Sequence, residues 1–354
     1  MKSVKQIKLI KKPTKINIDG NIIVADKGYI TDKYSLFFNT KTGVEILDGP
    51  IIDLDTSYSL IYPSMIDIGI MGHCKNKCSF CYQGDKNEPN MTLNNFKKII
   101  DQSKELIMQV ALGGRGDPNH HENFREIIEY CRENNVIPNY TTSGIALTDE
   151  QIEISKLCGA IAVSAYDQTY TFSAIKRLQD AGIKTNIHFL FSSSSYLDAA
   201  NLIYGYDIWD KKVDLERLNA VIFLLFKPQG KGKEVKFLIP KLLPHLKTFV
   251  NALDSSTRTN KFKIGMDSCL FNKISEIRPL TDQEKIFGDT CEAARCSCYI
   301  TPDMRFMPCS FADHNLFGYD ISQNDISDIW KNGNSFLEAR KQLKIKSNKC
   351  PYGL

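Results

Sequence analysis

The residues in this chain best suited to chemistry are its eleven cysteines. Cys74, Cys78 and Cys81 stand within one eight-residue stretch, CKNKCSFC, while Cys291, Cys296, Cys298, Cys309 and Cys350 crowd the last quarter with Cys269 just upstream. The count is odd, the density is low, and the N-terminus (MKSVKQIKLIKKPTK) lacks the apolar stretch of a secretion signal, which argues against a disulfide scaffold. Thiols kept reduced are buried apolar groups, nucleophiles or metal ligands, and clustering points to the last. Three thiolates in one short loop can wrap a single iron–sulfur cubane and leave its fourth iron open to a bound molecule. Zinc is the competing occupant of the same thiols. Cys131 and Cys158 stand alone and read as core residues.

Thiols converge only if the elements beneath them hold the loop. From Met65 onward, apolar runs of strand length alternate with amphipathic helices. The expected strands are Met65 to Met71, Gln109 to Leu112, Ile137 to Thr141, Ala160 to Ala165, Lys184 to Phe191 and Ala220 to Phe226. The expected helices are Leu93 to Ile107, Asn123 to Glu133, Asp149 to Leu157 with Asp149 as cap, Phe172 to Ala181, and Leu197 to Leu218. Six strand–helix units imply a parallel sheet, because parallel neighbours need helical crossovers. Before them, NIIVA, YSLFF and VEIL with the turn NTKTG read as short strands, without helical periodicity. After about Phe262 the chain becomes irregular and cysteine-rich and ends in a helix at Ser335 to Leu343. The expected units are therefore a β-rich segment over 1–62, an α/β unit over 63–261 and a metal-stapled module over 262–354.

Composition narrows the partners. At 42% hydrophobic and 24% charged the chain can bury a real core, and a formal charge of +4 is too small to be a nucleic-acid footprint. No apolar run approaches the roughly 18 to 20 residues of a membrane span. A cytoplasmic protein with neither nucleic acid nor membrane as partner is the expectation.

The first cysteine loop resembles the radical S-adenosylmethionine superfamily, whose C-x3-C-x-aromatic-C signature stands here as Cys74, Cys78, Phe80 and Cys81. The resemblance implies a partial (β/α)6 barrel, a [4Fe-4S] cluster on those cysteines, and S-adenosylmethionine on the fourth iron. Reductive cleavage of the sulfonium would then give a 5′-deoxyadenosyl radical that takes a hydrogen atom from substrate. It also implies a cofactor site after the second strand, in LGGRGDPN. Gly113 and Gly114 match the family's Gly-Gly-Glu-Pro run, Arg115 replaces its acid, and Asp117 offers a carboxylate two residues later. Ser143 and Ser164 end the third and fourth strands as ribose or carboxylate contacts. Alternation in Lys184 to Phe191 turns Asn186 and His188 to one face, so His188 is a further cofactor or substrate contact. Tyr82 and Tyr166 fall near the expected mouth. His73, His120 and His121 read as loop or helix-start residues.

The run CEAARCSCYITPDMRFMPC resembles the hairpin of SPASM and Twitch auxiliary-cluster modules, with Met304 in place of the turn glycine. This implies a second [4Fe-4S] cluster on Cys291, Cys309 and Cys350, with Cys269, at the end of an extra strand, as preferred fourth ligand over Cys298, Cys296 or an open site. The cysteines of a second auxiliary cluster are absent, so Twitch fits better than SPASM. Such modules accompany enzymes that modify ribosomally made peptides by crosslinking, epimerisation or excision; other members oxidise or rearrange small molecules, and a non-catalytic iron–sulfur redox protein is the reading from another class. A reduced flavodoxin or ferredoxin is the implied electron donor. The loop FKPQGKGKEVK reads as a mobile, solvated basic rim, and the N-terminal strands offer an edge for β-addition of a leader peptide.

Overall fold

The computed structural model describes residues 6–18, 21–49, 59–76, 78–84, 87–165, 169–256, 262–288, 290–345 and 350–352. Tyr166 lies outside them. The N-terminal strands are β1 (Ile7–Ile10), β2 (Thr14–Ile18), β3 (Asn21–Ala25), β4 (Lys27–Thr31), β5 (Ser35–Phe38) and β6 (Glu45–Asp48). They form an antiparallel sheet in the order β1-β4-β5-β6 and a separate β2-β3 hairpin. The NTKTG turn forms as the Asn39 side chain accepts from the backbone N–H groups of Lys41 and Thr42. The inner face of this sheet buries Tyr29, Leu36 and Phe38 against Leu60, Met108, Ile137 and Cys296, which seats it on the larger unit.

That unit alternates β7 (Met65–Met71), α1 (Leu93–Ser103), β8 (Gln109–Gly114), α2 (Phe124–Glu133), β9 (Ile137–Thr142) and α3 (Asp149–Ser155). It continues through β10 (Ile161–Ser164), α4 (Thr169–Asp180), β11 (Thr185–Phe191), α5 (Tyr196–Ile203), β12 (Ala220–Leu225) and α6 (Lys247–Ser255). The rest of the chain adds β13 (Lys263–Met266), α7 (Ser268–Ser275), α8 (Asp282–Phe287), β14 (Ser297–Ile300) and β15 (Arg305–Met307). It closes with α9 (His314–Phe317), β16 (Tyr319–Asp320), α10 (Ile326–Asn332) and α11 (Asn334–Ile345). Strands β7 to β12 pair in parallel in chain order, as the alternation predicts, and form a partial barrel. β13 extends it in parallel beside β12, and β14 extends it in parallel beside β7. The last quarter of the chain thus flanks the barrel strands on both sides.

Patterning explains the layers. In MIDIGIM, Ile66, Ile68 and Ile70 are fully buried in the main core, while Asp67 falls on the opposite face. On α1 the i, i+3, i+4 set Phe96, Ile99 and Ile100 buries the matching stripe, and the Thr92 side chain caps the helix by accepting from Asn95 N. Burying each such side chain contributes about 1.5 to 3 kcal/mol.

Three local expectations are corrected. The cap of α3 is Thr148, in a reciprocal capping box with Gln151, so Asp149 is the first helical residue. The helix expected to run from Leu197 to Leu218 ends at Ile203. Gly205 adopts φ +86° there, and Gly205 N and Tyr206 N donate to Leu202 O and Asn201 O, a Schellman stop. Cys269 is not at a strand end: β13 stops at Met266, Asp267 caps α7 by accepting from Leu270 N, and Cys269 lies in the first helical turn.

Candidate active site

The loop leaving the C-terminal end of β7 carries Cys74, Cys78 and Cys81, at the rim where barrels built of parallel strands place working groups. All three line one cleft of about 820 Å³. The loop is held from several directions. Glu88 N donates to Gly72 O at 2.9 Å and the Asn90 side chain accepts from Gly72 N at 3.0 Å. Arg115 Nη1 donates to Gln83 O at 2.6 Å, and Asn76 Nδ2 donates to Ser143 Oγ at 2.8 Å. Across the mouth, Lys231 N donates to Cys81 O at 2.9 Å. Burial pushes the Cys78 thiol up to about 11, with Cys81 and Cys74 adding to it, and raises Cys74 for the same first reason. Metal binding here must therefore displace protons.

Phe80, Gly113, Gly114, Asp117, Ser164 and His188 line the same cleft. The two glycines serve different purposes. Gly114 has φ +116° and a Cβ there would stand 2.4 Å from Met71 O, so the backbone demands glycine. A Cβ on Gly113 would meet nothing within 4 Å and would simply fill cleft space. Asp117 Oδ2 accepts from Thr142 Oγ1, Ser143 N and Ser143 Oγ at 3.1, 2.9 and 2.6 Å, and Oδ1 has no hydrogen-bond partner among the described residues. Ser143 itself is buried behind the cleft wall and holds Asp117 and Asn76 in place. Ser164, the last residue of β10, is paired in register with His188 in the middle of β11. Burial lowers the His188 pKa to about 4 although Asp267 opposes it, so its imidazole is neutral at physiological pH. The other histidines do not enter the cleft lining: His120 bonds Ile145 O, and buried His121 bonds Met91 O.

The structure adds groups that sequence reasoning left out. Asp67 lines the cleft, and burial pushes its carboxyl up to about 7. The alternation of MIDIGIM carried that signal. Tyr299 and Phe311 also line the wall, with Tyr82 and Phe311 edge-to-face at 4.8 Å. The basic rim is corrected at Lys227, while Lys233 and Lys236 are exposed as expected. Lys227 is buried, donating to Leu225 O at 2.9 Å and to the Asp267 carboxylate; Gly230 to Lys233 form a 3₁₀ turn packed on the cysteine loop. The Asp267 carboxylate that draws Lys227 inward is distant in sequence, so Lys227 looked like part of the solvated run.

The C-terminal cysteines also gather. The half-buried Cys309 thiol is raised by desolvation first and then by Cys291, Cys269 and Cys350. Cys291 is pushed up to about 12 by burial, with Cys269 and Cys350 adding. Cys298 has different neighbours, Asp67 and Arg340, and Cys296 packs with the N-terminal sheet. Cys131 is buried in the main core, and Cys158 packs against it. Met304 adopts φ +64° in the β14–β15 turn, the left-handed conformation of the glycine it replaces, and its side chain is buried.

Residues 68–171 match the family described as the Radical SAM superfamily. The chain is 26% identical to the mycofactocin maturase MftC of Mycobacterium tuberculosis over 295 residues, covering 76% of this chain and 70% of that protein. Its fold is similar to Streptococcus suis SuiB bound to S-adenosylmethionine, with a TM-score of 0.63, 17% identity, and coverage of 80% of this chain and 68% of that one. SuiB bound to its precursor peptide SuiA gives a TM-score of 0.61 at 16% identity, covering 80% and 67%.

Proposed function

We propose that this radical SAM enzyme cleaves S-adenosylmethionine at the Cys74, Cys78 and Cys81 site and uses the resulting hydrogen abstraction to modify a ribosomally made peptide. The observation that carries the reading is that three thiols, two glycines, a half-free carboxylate and a neutral histidine face one cleft. The donor set fits the implied cofactors: the thiols supply three ligands to a [4Fe-4S] cluster, and Gly113 leaves open space where a ligand can lie against backbone. The bound cluster and S-adenosylmethionine supply the radical. The chain supplies placement. The backbone of Gly113 and Gly114 and Asp117 Oδ1 receive the methionine amino group, with Ser143 locking Asp117 from behind. Ser164 and neutral His188 contact the ribose or carboxylate, and Phe80 flanks the cluster loop.

A second [4Fe-4S] cluster on Cys269, Cys291, Cys309 and Cys350 belongs to the same proposal. Their mutual electrostatic contact supports it, as does Met304 keeping the hairpin's left-handed turn. Among the described residues no three His, Cys, Asp or Glu side chains converge tightly enough for one metal ion. Thiols around a cubane stand farther apart than thiols around a single ion. A flavodoxin or ferredoxin is the proposed electron donor.

The peptide substrate is supported by the similarity to a maturase and to an enzyme solved with its precursor peptide. On this chain, Phe237, Ile239, Leu242 and Leu243 are exposed just beyond the turn that spans the cleft mouth, the kind of apolar surface that receives a partner. A small-molecule substrate is the second reading, favoured by a cleft within the roughly 300 to 1,000 Å³ of ordinary ligand sites. The test compares anaerobically reconstituted wild type with a Cys74→Ala/Cys78→Ala/Cys81→Ala variant. Iron should fall from about eight to about four per chain, and 5′-deoxyadenosine should form only with the wild type. Cofactor cleavage by the variant would sink the assignment; four irons falling to none would remove the auxiliary cluster.

A further inference from the structure

Lys227 lines the cleft and packs against the segments that carry Cys269 and Cys309. It follows β12 and is 6% exposed. A buried ammonium needs partners for its charge and its three protons. Leu225 O and the Asp267 carboxylate accept two, and Phe311, two residues after Cys309, presents its ring face 4.8 Å away. Phe311 N donates to Cys309 Sγ at 3.5 Å, and the Asp267 carboxylate that pairs with Lys227 stands two residues before Cys269, so the ammonium packs against the two segments that carry these thiols. Asp267 in turn is fixed as the cap of α7, accepting from Leu270 N at 2.8 Å, so ammonium, carboxylate and Cys269 are fastened to one helix start.

We propose that Lys227 is a fixed positive charge that sets the reduction potential of the auxiliary centre from its cleft side. This rests on the reading of Cys269, Cys291, Cys309 and Cys350 as iron ligands. The potential of an iron–sulfur centre follows its net charge and the donors near its sulfurs, and a desolvated cation beside two of four thiolates favours the reduced, more negative state. The nearby Asp267 charge opposes it, so neutralising Lys227 alone removes the cation and leaves that carboxylate unbalanced, which disfavours the reduced state further.

The experiment uses the full chain carrying Cys74→Ala/Cys78→Ala/Cys81→Ala, so that any remaining iron is auxiliary. Its midpoint potential is measured by anaerobic redox titration with electron paramagnetic resonance, alone and combined with Lys227→Met, Lys227→Gln or Lys227→Arg. The two neutral variants are expected to shift the midpoint to more negative potential, and Arg to keep it near the parent value. An unshifted midpoint in a neutral variant with full iron overturns the proposal and leaves the auxiliary site standing. If both neutral variants lose their iron while Arg keeps it, Lys227 is a support for the ligands and the proposal also falls. A parent variant without iron removes the auxiliary centre itself, and the proposal with it.

Discussion

Two residues on the cleft wall make opposite predictions about substitution. Gly113 has open space where a side chain would go, so Gly113→Ala should leave the thermal transition unchanged and weaken S-adenosylmethionine binding by about 10-fold, as a methyl takes room the ligand needs. Equilibrium dialysis of the reconstituted protein checks this, and unchanged affinity would place the cofactor elsewhere. Asp67 is a carboxyl whose folded pKa, near 7, lies above its ordinary value because of burial. The folded state then holds its proton more tightly than the unfolded chain, so stability falls as pH rises from about 4 to about 7 and stays low above that. Asp67→Asn should therefore stabilise the protein at pH 8, on the order of 1 to 2 kcal/mol since the carboxyl faces an open cleft, and do little at pH 4. Thermal melts at the two pH values decide it. At this scale the sequence was most legible where a motif names its members: Cys74, Cys78, Cys81, Gly113, Gly114 and Asp117 share one cleft. Lys227 escaped because its ion-pair partner, Asp267, comes from another element, while for Asp67 the alternation of MIDIGIM held the signal and was not read. Ser143 is a subtler case, since strand position alone cannot distinguish a residue facing the cleft from one bracing the acid that does.

At the scale of elements, the six barrel strands were legible almost to the residue because two buried faces leave unmistakable apolar runs, whereas β1, β2 and β4 had no such signal and were not expected. Helix ends were less so: the stop at Ile203 depends on Gly205 folding back, while the expected helix followed apolar spacing past it. The β14–β15 turn sets two costs against each other. Left-handed φ costs a non-glycine residue about 1 to 2 kcal/mol, but deleting a buried methionine side chain costs about 2 to 5 kcal/mol. Packing wins, so Met304→Gly should lose about 1 to 3 kcal/mol in denaturant melts despite restoring the residue the turn geometry favours. The turn that spans the cleft mouth gives a second test. A Cβ on Gly230 would lie 2.4 Å from Tyr82 O and 2.5 Å from Gly84 N, neither of which can step aside. Gly230→Ala should displace the clamp on Cys81 and let a chelator strip about four irons faster than from wild type, with the auxiliary iron unaffected. Equal rates would show that the clamp does not protect the loop.

For the whole molecule, the sequence divided the chain into a barrel and a following module. The structure describes strands from both in one sheet, because β13 and β14 find backbone partners on opposite sides of the six barrel strands. No local pattern announces a strand that returns to the start of a sheet. Cys269 follows β13 on one side, Cys291 and Cys309 bracket β14 and β15 on the other, and these thiols stand within electrostatic reach of one another. Under the proposed ligation, iron loading should raise the melting temperature even in the triple Cys74, Cys78, Cys81 variant, and a further Cys269→Ala should remove most of the gain. Anaerobic melts before and after reconstitution test this. The arrangement works like a hoop around open staves: inter-strand hydrogen bonds run along the wall but leave its gap free to spread, and under the proposed ligation a cluster across that gap would fix the aperture. Iron supply would then govern shape as well as electron transfer, and a chain starved of it would keep its secondary structure while losing the breadth of cleft its substrate must fit.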